Sequence, residues 1–282
     1  MPGLKDNSHA EDAAAITTAI STIYHNISLL RDLNPRDEVN TLFSELVSIC
    51  IRPYHPTVVS NVLSSLKTKA AHIRELCSSA EGALERHWAK RMLRFDEKLE
   101  PEPLRSFPYY SNYVDLCNLE CNAIIAVTSH TPKQIAFIGS GPLPLTSFCV
   151  ADRFLHARIH NVDRDADAIA LSKELAKRHG YPNMTFAHED AADCASLWEF
   201  DVVSVAALVG MSADEKAVIL SGVARRMRKG ALLCVRSAHS LRALLYPVVA
   251  PETLLETGML ELVVEIHPWN HVVNSILLLR VL

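Results

Sequence analysis

Four groups of residues have the types and spacing to do chemistry. On a helical stretch running from Thr57 toward Arg94, Ile73, Cys77, Ala80, Leu84 and Trp88 recur at three- and four-residue steps and form an apolar stripe. Glu81 lies four residues after Cys77 and three before Leu84, so it shares that face. A carboxylate drawn inward has its pKa raised, which suits a general base. The same spacing also fits a rim glutamate paired with a lysine or arginine. Glu85, one turn further on, is the fallback carboxylate. The second group is FPYYSNY at 107–113, where Tyr109 and Tyr113 share a helical face with Asn112 and Leu116 close by. Tyrosine hydroxyls can orient an amine or relay its proton, and the rings attract a cation by roughly 0.5–2 kcal/mol. The alternative is an aromatic cluster in an interdomain core.

The third group is QIAFIGSGPLPLTS at 134–147. Gly139, Ser140 and Gly141 follow a strand-like run, and glycine there permits close approach of the backbone to a ligand. Pro142 and Pro144 fall where the first turn of the next helix should offer N–H groups. Proline at that place costs no helix hydrogen bond, but it deletes two donors that a pyrophosphate would need. That argues against NAD, FAD and ATP and favours an adenosine without phosphate. S-adenosylmethionine fits, with a cationic sulfonium and a single carboxylate; the other reading is a structural turn with no ligand. The fourth group stands at strand ends. Asp163, about 22 residues after Gly141, suits paired ribose hydroxyls, and Asp190 could accept from an adenine amino group. Ala191, Ala207 and Leu208, at the ends of the third and fourth strands, complete the binding set with Pro142.

Other constellations carry less. His267 and His271 in HPWNH lack a third ligand at useful spacing and read as loop residues, so no metal site is expected. Cys117 and Cys121 read as core packing. Arg236 and His239 could touch a substrate carboxylate, or the arginine could be salt-bridged.

These residues need two kinds of scaffold. Residues 10–95 carry helical periodicity, as in Ile16, Ile20, Ile23, Ile27 and Leu30, with a second helix over 42–51 and Thr57 as the N-cap of the long stretch. The proline-bearing piece 94–108 reads as a connector. From 134 the pattern changes to short β-type runs at 134–139, 157–163, 184–190, 201–208, 231–238, 260–268 and 272–281, with helices at 145–156, 165–179 and 213–228. Alternation of this kind predicts an α/β fold with a parallel, doubly wound sheet. The last two runs, joined only by a short turn, predict a terminal antiparallel pair. The whole reads as a Rossmann-like methyltransferase sheet behind an all-helical domain, divided as 1–118 and 119–282.

Composition narrows the partners. The chain has 282 residues, 49% of them hydrophobic, and a net charge of −4. No basic footprint for nucleic acid or an anionic membrane is present. The N-terminus lacks a secretory layout, and no apolar run approaches the ~18 residues of a membrane span. Seven scattered cysteines read as reduced thiols of a cytoplasmic protein. A monomer or homodimer is expected.

Longer stretches carry a resemblance. LCSSAEGALERHWA (76–89), FPYYSNYVDLCNLE (107–120), IAFIGSGPLPLTS (135–147), VVSVAALVGM (202–211), EKAVIL (215–220), VRSAHSLRALLYPVV (235–249) and HPWNHVVNS (267–275) resemble the nicotianamine synthases, over about residues 35–282. The visible departures are the polar first residues, a lengthened connector at 94–106, and Ser240 where the family often has glycine. The resemblance implies a transferase that joins three molecules of S-adenosylmethionine into the metal chelator nicotianamine, releasing methylthioadenosine, with no metal required. It implies a role in metal homeostasis. It also turns Glu81, within AEG-LE, into the expected base; of the tyrosines in FPYYSNY, Tyr109 reads as the foremost proton relay, with Tyr113 beside it. A small-molecule methyltransferase is the alternative the bare sheet pattern allows, and a non-enzymatic binding module is a third.

Overall fold

The computed structural model describes residues 3–94, 103–194 and 197–282. The first part is helical: α1 (Gly3–Ser28), α2 (Asp37–Cys50), α3 (Pro56–Ser65) and α4 (Ala70–Met92). Ile20, Ile23 and Ile27 of α1 are buried in one cluster with Leu46, Val58, Val62, Leu66 and Ile73. Each such side chain contributes about 1.5–3 kcal/mol on burial, so the apolar stripes dock these helices. Asp37 and Glu38 occupy the first turn of α2, where the helix dipole favours acids, and extend it ahead of the apolar run that begins at Leu42.

Two sequence expectations change here. The N-cap of α3 is His55, not Thr57; its Nδ1 accepts from the Thr57 N–H at 3.3 Å, and Pro56 takes the N1 position that suits proline. The long stretch toward Arg94 is also two helices. The chain tightens over 66–69, where the Lys69 N–H donates to the Leu66 carbonyl at 2.9 Å. No glycine or proline marks that corner; the buried Leu66 fixes it by packing. Of the connector, 95–102 lie outside the described residues, and Pro103–Ser106 form a 3₁₀ turn.

The sheet contains β1 (Gln134–Ile138), β2 (Arg158–Asp163), β3 (Met184–His188), β4 (Val202–Val205), β5 (Leu232–Ser237), β6 (Leu260–Ile266) and β7 (Ser275–Val281). Its order is β3-β2-β1-β4-β5-β7-β6. The first five strands are parallel, and β7 runs antiparallel to both β5 and β6. This is the doubly wound sheet with a terminal antiparallel pair that the alternation predicts. Helices α5 (Tyr110–Val127), α6 (Leu145–Arg153) and α7 (Ala166–Arg178) and, further on, α8 (Ala213–Arg226) and α9 (Pro251–Leu255) supply the layers. Between β3 and β4 the described residues form turns rather than a helix. The order reverses between β1 and β4, and a crevice opens there beyond the strands' carboxyl ends.

Helix α5 joins the two parts. It runs unbroken through residue 118: Tyr113 near its start faces the helical part, while Cys121 and Ile124 pack in the sheet's core. Polar clamps reinforce the junction. Arg74 donates to the Ala243 carbonyl at 3.0 Å, and Arg242 donates to the carbonyls of Ile51 at 3.0 Å and Asn270 at 2.8 Å. Arg86 pairs with Asp165 at 2.6 Å. Both partners are more than one-third exposed, so this pair adds at most about 1 kcal/mol and serves mainly to set where α4 sits against the β2–α7 turn.

Candidate active site

Two cavities meet at α4. The inner one, about 360 Å³, lies over the carboxyl ends of the parallel strands. The outer one, about 340 Å³, lies among α2, α4 and the 107–113 segment. They share five lining residues: Glu81, Glu85, Asn112, Tyr113 and Tyr246.

The inner cavity is built on the glycine turn. Gly139 and Gly141 have φ of +80° and +66°, a region that disfavours side chains. A Cβ on Gly141 would stand 2.7 Å from Glu85 Oε2, so glycine lets α4 bring its carboxylate onto the turn. The Gly141 N–H donates to Asp163 Oδ2 at 2.8 Å, and the Asp165 N–H donates to Asp163 Oδ1 at 2.9 Å. Asp163 therefore braces the turn with one lone pair on each oxygen and faces the cavity as well. Pro142 and Pro144 lie just ahead of the helix rather than inside its first turn; α6 starts at Leu145, with Pro144 as its N-cap. Gly139, Ser140, Gly141, Pro142, Asp163, Asp190, Ala191, Ala207 and Leu208 all line this one cavity. The Ser140 hydroxyl is buried and, among the described residues, has no hydrogen-bond partner. Asp190 Oδ1 accepts from the Ala192 N–H at 2.9 Å, which fixes its turn.

Lys216 on α8 does not stand out by its position in EKAVIL. Its buried ammonium donates to the carbonyls of Ala206 at 3.1 Å, Ala207 at 2.6 Å and Val209 at 3.1 Å, and so holds the loop that presents Ala207 and Leu208. Burial pushes its pKa down to about 7.

The shared wall carries two carboxyls and two phenols in contact. Tyr246 donates its hydroxyl to Glu81 Oε2 at 2.7 Å. The Tyr113 hydroxyl donates to Glu85 Oε1 at 2.5 Å and lies 3.5 Å from Glu81 Oε1. Burial raises the Glu81 pKa against the opposing pull of Tyr246 and Arg236. Burial also raises that of Glu85, and the neighbouring Glu81 charge adds to it. Both tyrosines are held well above their usual pKa, first by burial and then by the carboxylates, so they remain neutral donors. Two carboxyls bridged by one phenol form a unit able to take and pass a proton near neutral pH.

Tyr109 is placed differently. It caps the start of α5, lines only the outer cavity and packs on Phe107 at 6.0 Å between ring centroids. Among the described residues it makes no hydrogen bond to Glu81 or Glu85, whereas Tyr113 reaches both. Sequence reasoning misses Tyr246 and the pairing of Glu85 with Tyr113, because three remote segments make them; the only signal is Tyr246 inside the 235–249 stretch.

Arg236 is salt-bridged. Its Nε and Nη2 donate to Glu120 at 2.7 and 3.0 Å, and Nη2 also donates to the Thr146 hydroxyl at 2.9 Å, yet it lines the inner cavity. His239 stacks on His267 at 4.1 Å. His267 bonds Ser275 and His271 pairs with Asp115, so the two histidines of HPWNH serve separate partners. Cys117 and Cys121 are buried core residues with Sγ atoms 3.7 Å apart. Ser240 has φ of +58°, the one non-glycine in the left-handed region among the described residues. That conformation is the physical reason a glycine suits the position.

The model of the family described as "Nicotianamine synthase protein" matches residues 9–282. The chain belongs to the nicotianamine synthase family. It is 39% identical over 270 residues to "Nicotianamine synthase" of Solanum lycopersicum, covering 94% of this chain and 83% of that one. It is 38% identical over 270 residues to "Nicotianamine synthase 1" of Arabidopsis thaliana, with the same coverage. Among solved structures, MtNAS in complex with MTA and tNA superposes with a TM-score of 0.77 at 21% identity, over 100% of both chains. A Glu-to-Gln mutant of MtNAS in complex with S-adenosylmethionine gives 0.78 at 22% identity, covering 94% of this chain and 97% of that one. These structural likenesses show that this nicotianamine synthase family member shares its fold over nearly the whole chain. The family match begins at residue 9, within α1, ahead of the motif-bearing stretch 35–282.

Proposed function

We propose that this chain makes nicotianamine by transferring 3-amino-3-carboxypropyl groups between S-adenosylmethionine molecules, with the shared wall between the two cavities as the reaction centre. The protein is a transferase of the nicotianamine synthase family, and S-adenosylmethionine is its substrate. The observation that carries the assignment to the wall is the placement of Glu81, Glu85, Tyr113 and Tyr246 where both cavities open onto the same residues.

The inner cavity receives the nucleoside. Asp163 and Asp190 stand at the ends of β2 and β3 for ribose and adenine, and the glycine turn lies against the sulfonium. The acceptor amine comes from the outer side. Its proton passes to Glu81, directly or through Tyr113, and the freed nitrogen pair attacks the γ-carbon. The N–C bond forms as the C–S bond breaks, and methylthioadenosine leaves as a neutral thioether that needs no acid. Glu85, held by Tyr113, keeps the pair sharing a proton. On this reading Tyr113 is the relay, and Tyr109 shapes the acceptor's chamber.

Residues 1–118 act as the helical half that closes the acceptor side, and 119–282 as the substrate-binding sheet. We place the enzyme in the cytoplasm, supported by seven free cysteines, and assign its product a role in metal homeostasis. Among the described residues no helix is long and apolar enough to cross a membrane.

The test is incubation of the pure protein with S-adenosylmethionine alone, followed by mass spectrometry. Methylthioadenosine and a product of nicotianamine mass are expected. S-adenosylhomocysteine in their place would mean methyl transfer and would overturn the reading.

A further inference from the structure

Helix α8 carries two cations that the proton chemistry of the wall does not use, one near each end, and both hold loops of the inner cavity. Lys216 has no exposed surface, and its ammonium grips the carbonyls of Ala206, Ala207 and Val209. Arg226, the last residue of α8, donates from Nη1 to the carbonyls of Ala192 at 2.9 Å and Cys194 at 2.7 Å, and from Nη2 to that of Ala191 at 2.6 Å. Its Nε bonds the Gly222 carbonyl within its own helix at 2.9 Å. Among the described residues, both cations direct these bonds to main-chain carbonyls rather than to a carboxylate. For stability alone, a well-packed apolar side chain would serve a buried site as well as an ammonium without a countercharge. What the charged donors add is geometry, because strong bonds in a fixed array hold several carbonyls at set points. The two loops follow β4 and β3, which flank β1 and β2 in the sheet. Ala207 and Leu208 of one loop and Asp190 and Ala191 of the other line the inner cavity. The first loop also bears on the glycine turn, since a Cβ on Gly139 would stand 2.5 Å from Val209 Cγ2.

We propose that Lys216 and Arg226 are positioning residues for the nucleoside: from the two ends of one helix they fix the loops on both flanks of the adenosine, and so set how tightly it is held rather than how fast the arm is transferred. The inference rests on the functional reading above and adds the supports of its binding site. Neither side chain reaches the reacting atoms; each acts through the loop whose carbonyls it holds. Loosening either loop lets the groups that face the nucleoside wander, and the cost of ordering them then falls on binding.

The test compares methylthioadenosine, which has the nucleoside and thioether but no arm, with S-adenosylmethionine. Dissociation constants for both are measured by calorimetry on the full chain, on Lys216→Met and on Arg226→Gln, at a temperature where circular dichroism shows each variant folded. Both constants should rise by the same factor, about tenfold for Lys216→Met and about three- to tenfold for Arg226→Gln. In both variants kcat at saturating substrate should fall less than about threefold. Val223→Ala is the control for general loosening, because Val223 is buried on the same helix and lines neither cavity. It should lower Tm and leave both constants within about twofold. If Lys216→Met fails to fold, Arg226→Gln, at a half-buried helix end, carries the same test. Unchanged methylthioadenosine affinity in a folded variant, a loss of kcat with affinity kept, or equal weakening by Val223→Ala would overturn the proposal. Failure of the unaltered chain to bind either ligand would overturn the functional reading, and the proposal with it.

Discussion

The inner and outer cavities are nearly equal in size and share a wall, yet they are made in opposite ways. The inner one is assembled from strand ends and one turn, so its residues sit at positions the sheet topology dictates. The outer one is assembled from helix faces, with Val39, Phe43, Val47, Leu84 and Leu245 around it, and no single segment defines it. The inner cavity presents fixed polar groups, which on the proposed reading receive a nucleoside. The outer one offers mostly apolar surface and raises the pKa of the carboxylates at its edge. Binding geometry thus comes from the sheet and proton chemistry from desolvation by the helices. Neither half is a site without the other.

The sharpest way to break that division is at the wall. Glu81→Gln should lower turnover by about 10²–10⁴-fold while leaving S-adenosylmethionine affinity within a few fold, measured by steady-state kinetics and calorimetry. The pH profile sharpens the point. A base must be unprotonated, so kcat/KM should rise with pH through a value above the ordinary carboxylate range, and Glu81→Gln should remove that limb. Stability should move the other way. The folded protein keeps protons on Glu81 and Glu85 where the unfolded chain has lost them, so folding weakens as pH rises from the ordinary carboxylate range through the raised folded values. Glu81→Gln should therefore raise Tm at neutral pH, and the gain should fade as pH falls toward that range.

The tyrosines test which side of the wall relays the proton. Tyr113→Phe should reduce kcat by roughly ten- to a hundredfold, because both carboxylates lose their shared phenol. Tyr109→Phe should change kcat by less than about threefold, since the ring and its packing remain. The reverse order, in parallel assays, would move the relay to the outer chamber.

Filling the outer chamber separates binding from reaction. Val47→Phe should leave methylthioadenosine affinity unchanged but raise KM or lower kcat several fold, at a stability cost of about 1–3 kcal/mol from overpacking. The smallest effect is expected at a residue that lines neither cavity. Ser240→Gly should stabilise the fold by about 1 kcal/mol in chemical denaturation, because the residue already sits at φ +58°.

What the sequence revealed follows the same divide. The strand alternation located all seven strands, and the glycine turn with Asp163 located the inner cavity, because period and turn chemistry are local. The stripe from Ile73 to Trp88 turned Glu81 inward for the same reason, and there it is half-buried and lines both cavities. Long-range facts were not legible. The break at Leu66–Lys69 comes from packing, the grip of Lys216 on the 206–209 carbonyls needs the folded loop, and Tyr246 meets Glu81 across 165 residues of chain. Pro142 and Pro144 were visible, but their position ahead of α6 depends on where the helix begins.

The central claim is that the wall faces the γ-carbon of a substrate whose nucleoside lies in the inner cavity. A crystal structure of the Glu81→Gln variant soaked with S-adenosylmethionine tests it most directly. The account predicts adenosine between the glycine turn, Asp163 and Asp190, with the three-carbon arm running to the substituted side chain, Tyr113 and Tyr246. A substrate whose methyl group faces that wall while its arm points away would contradict it.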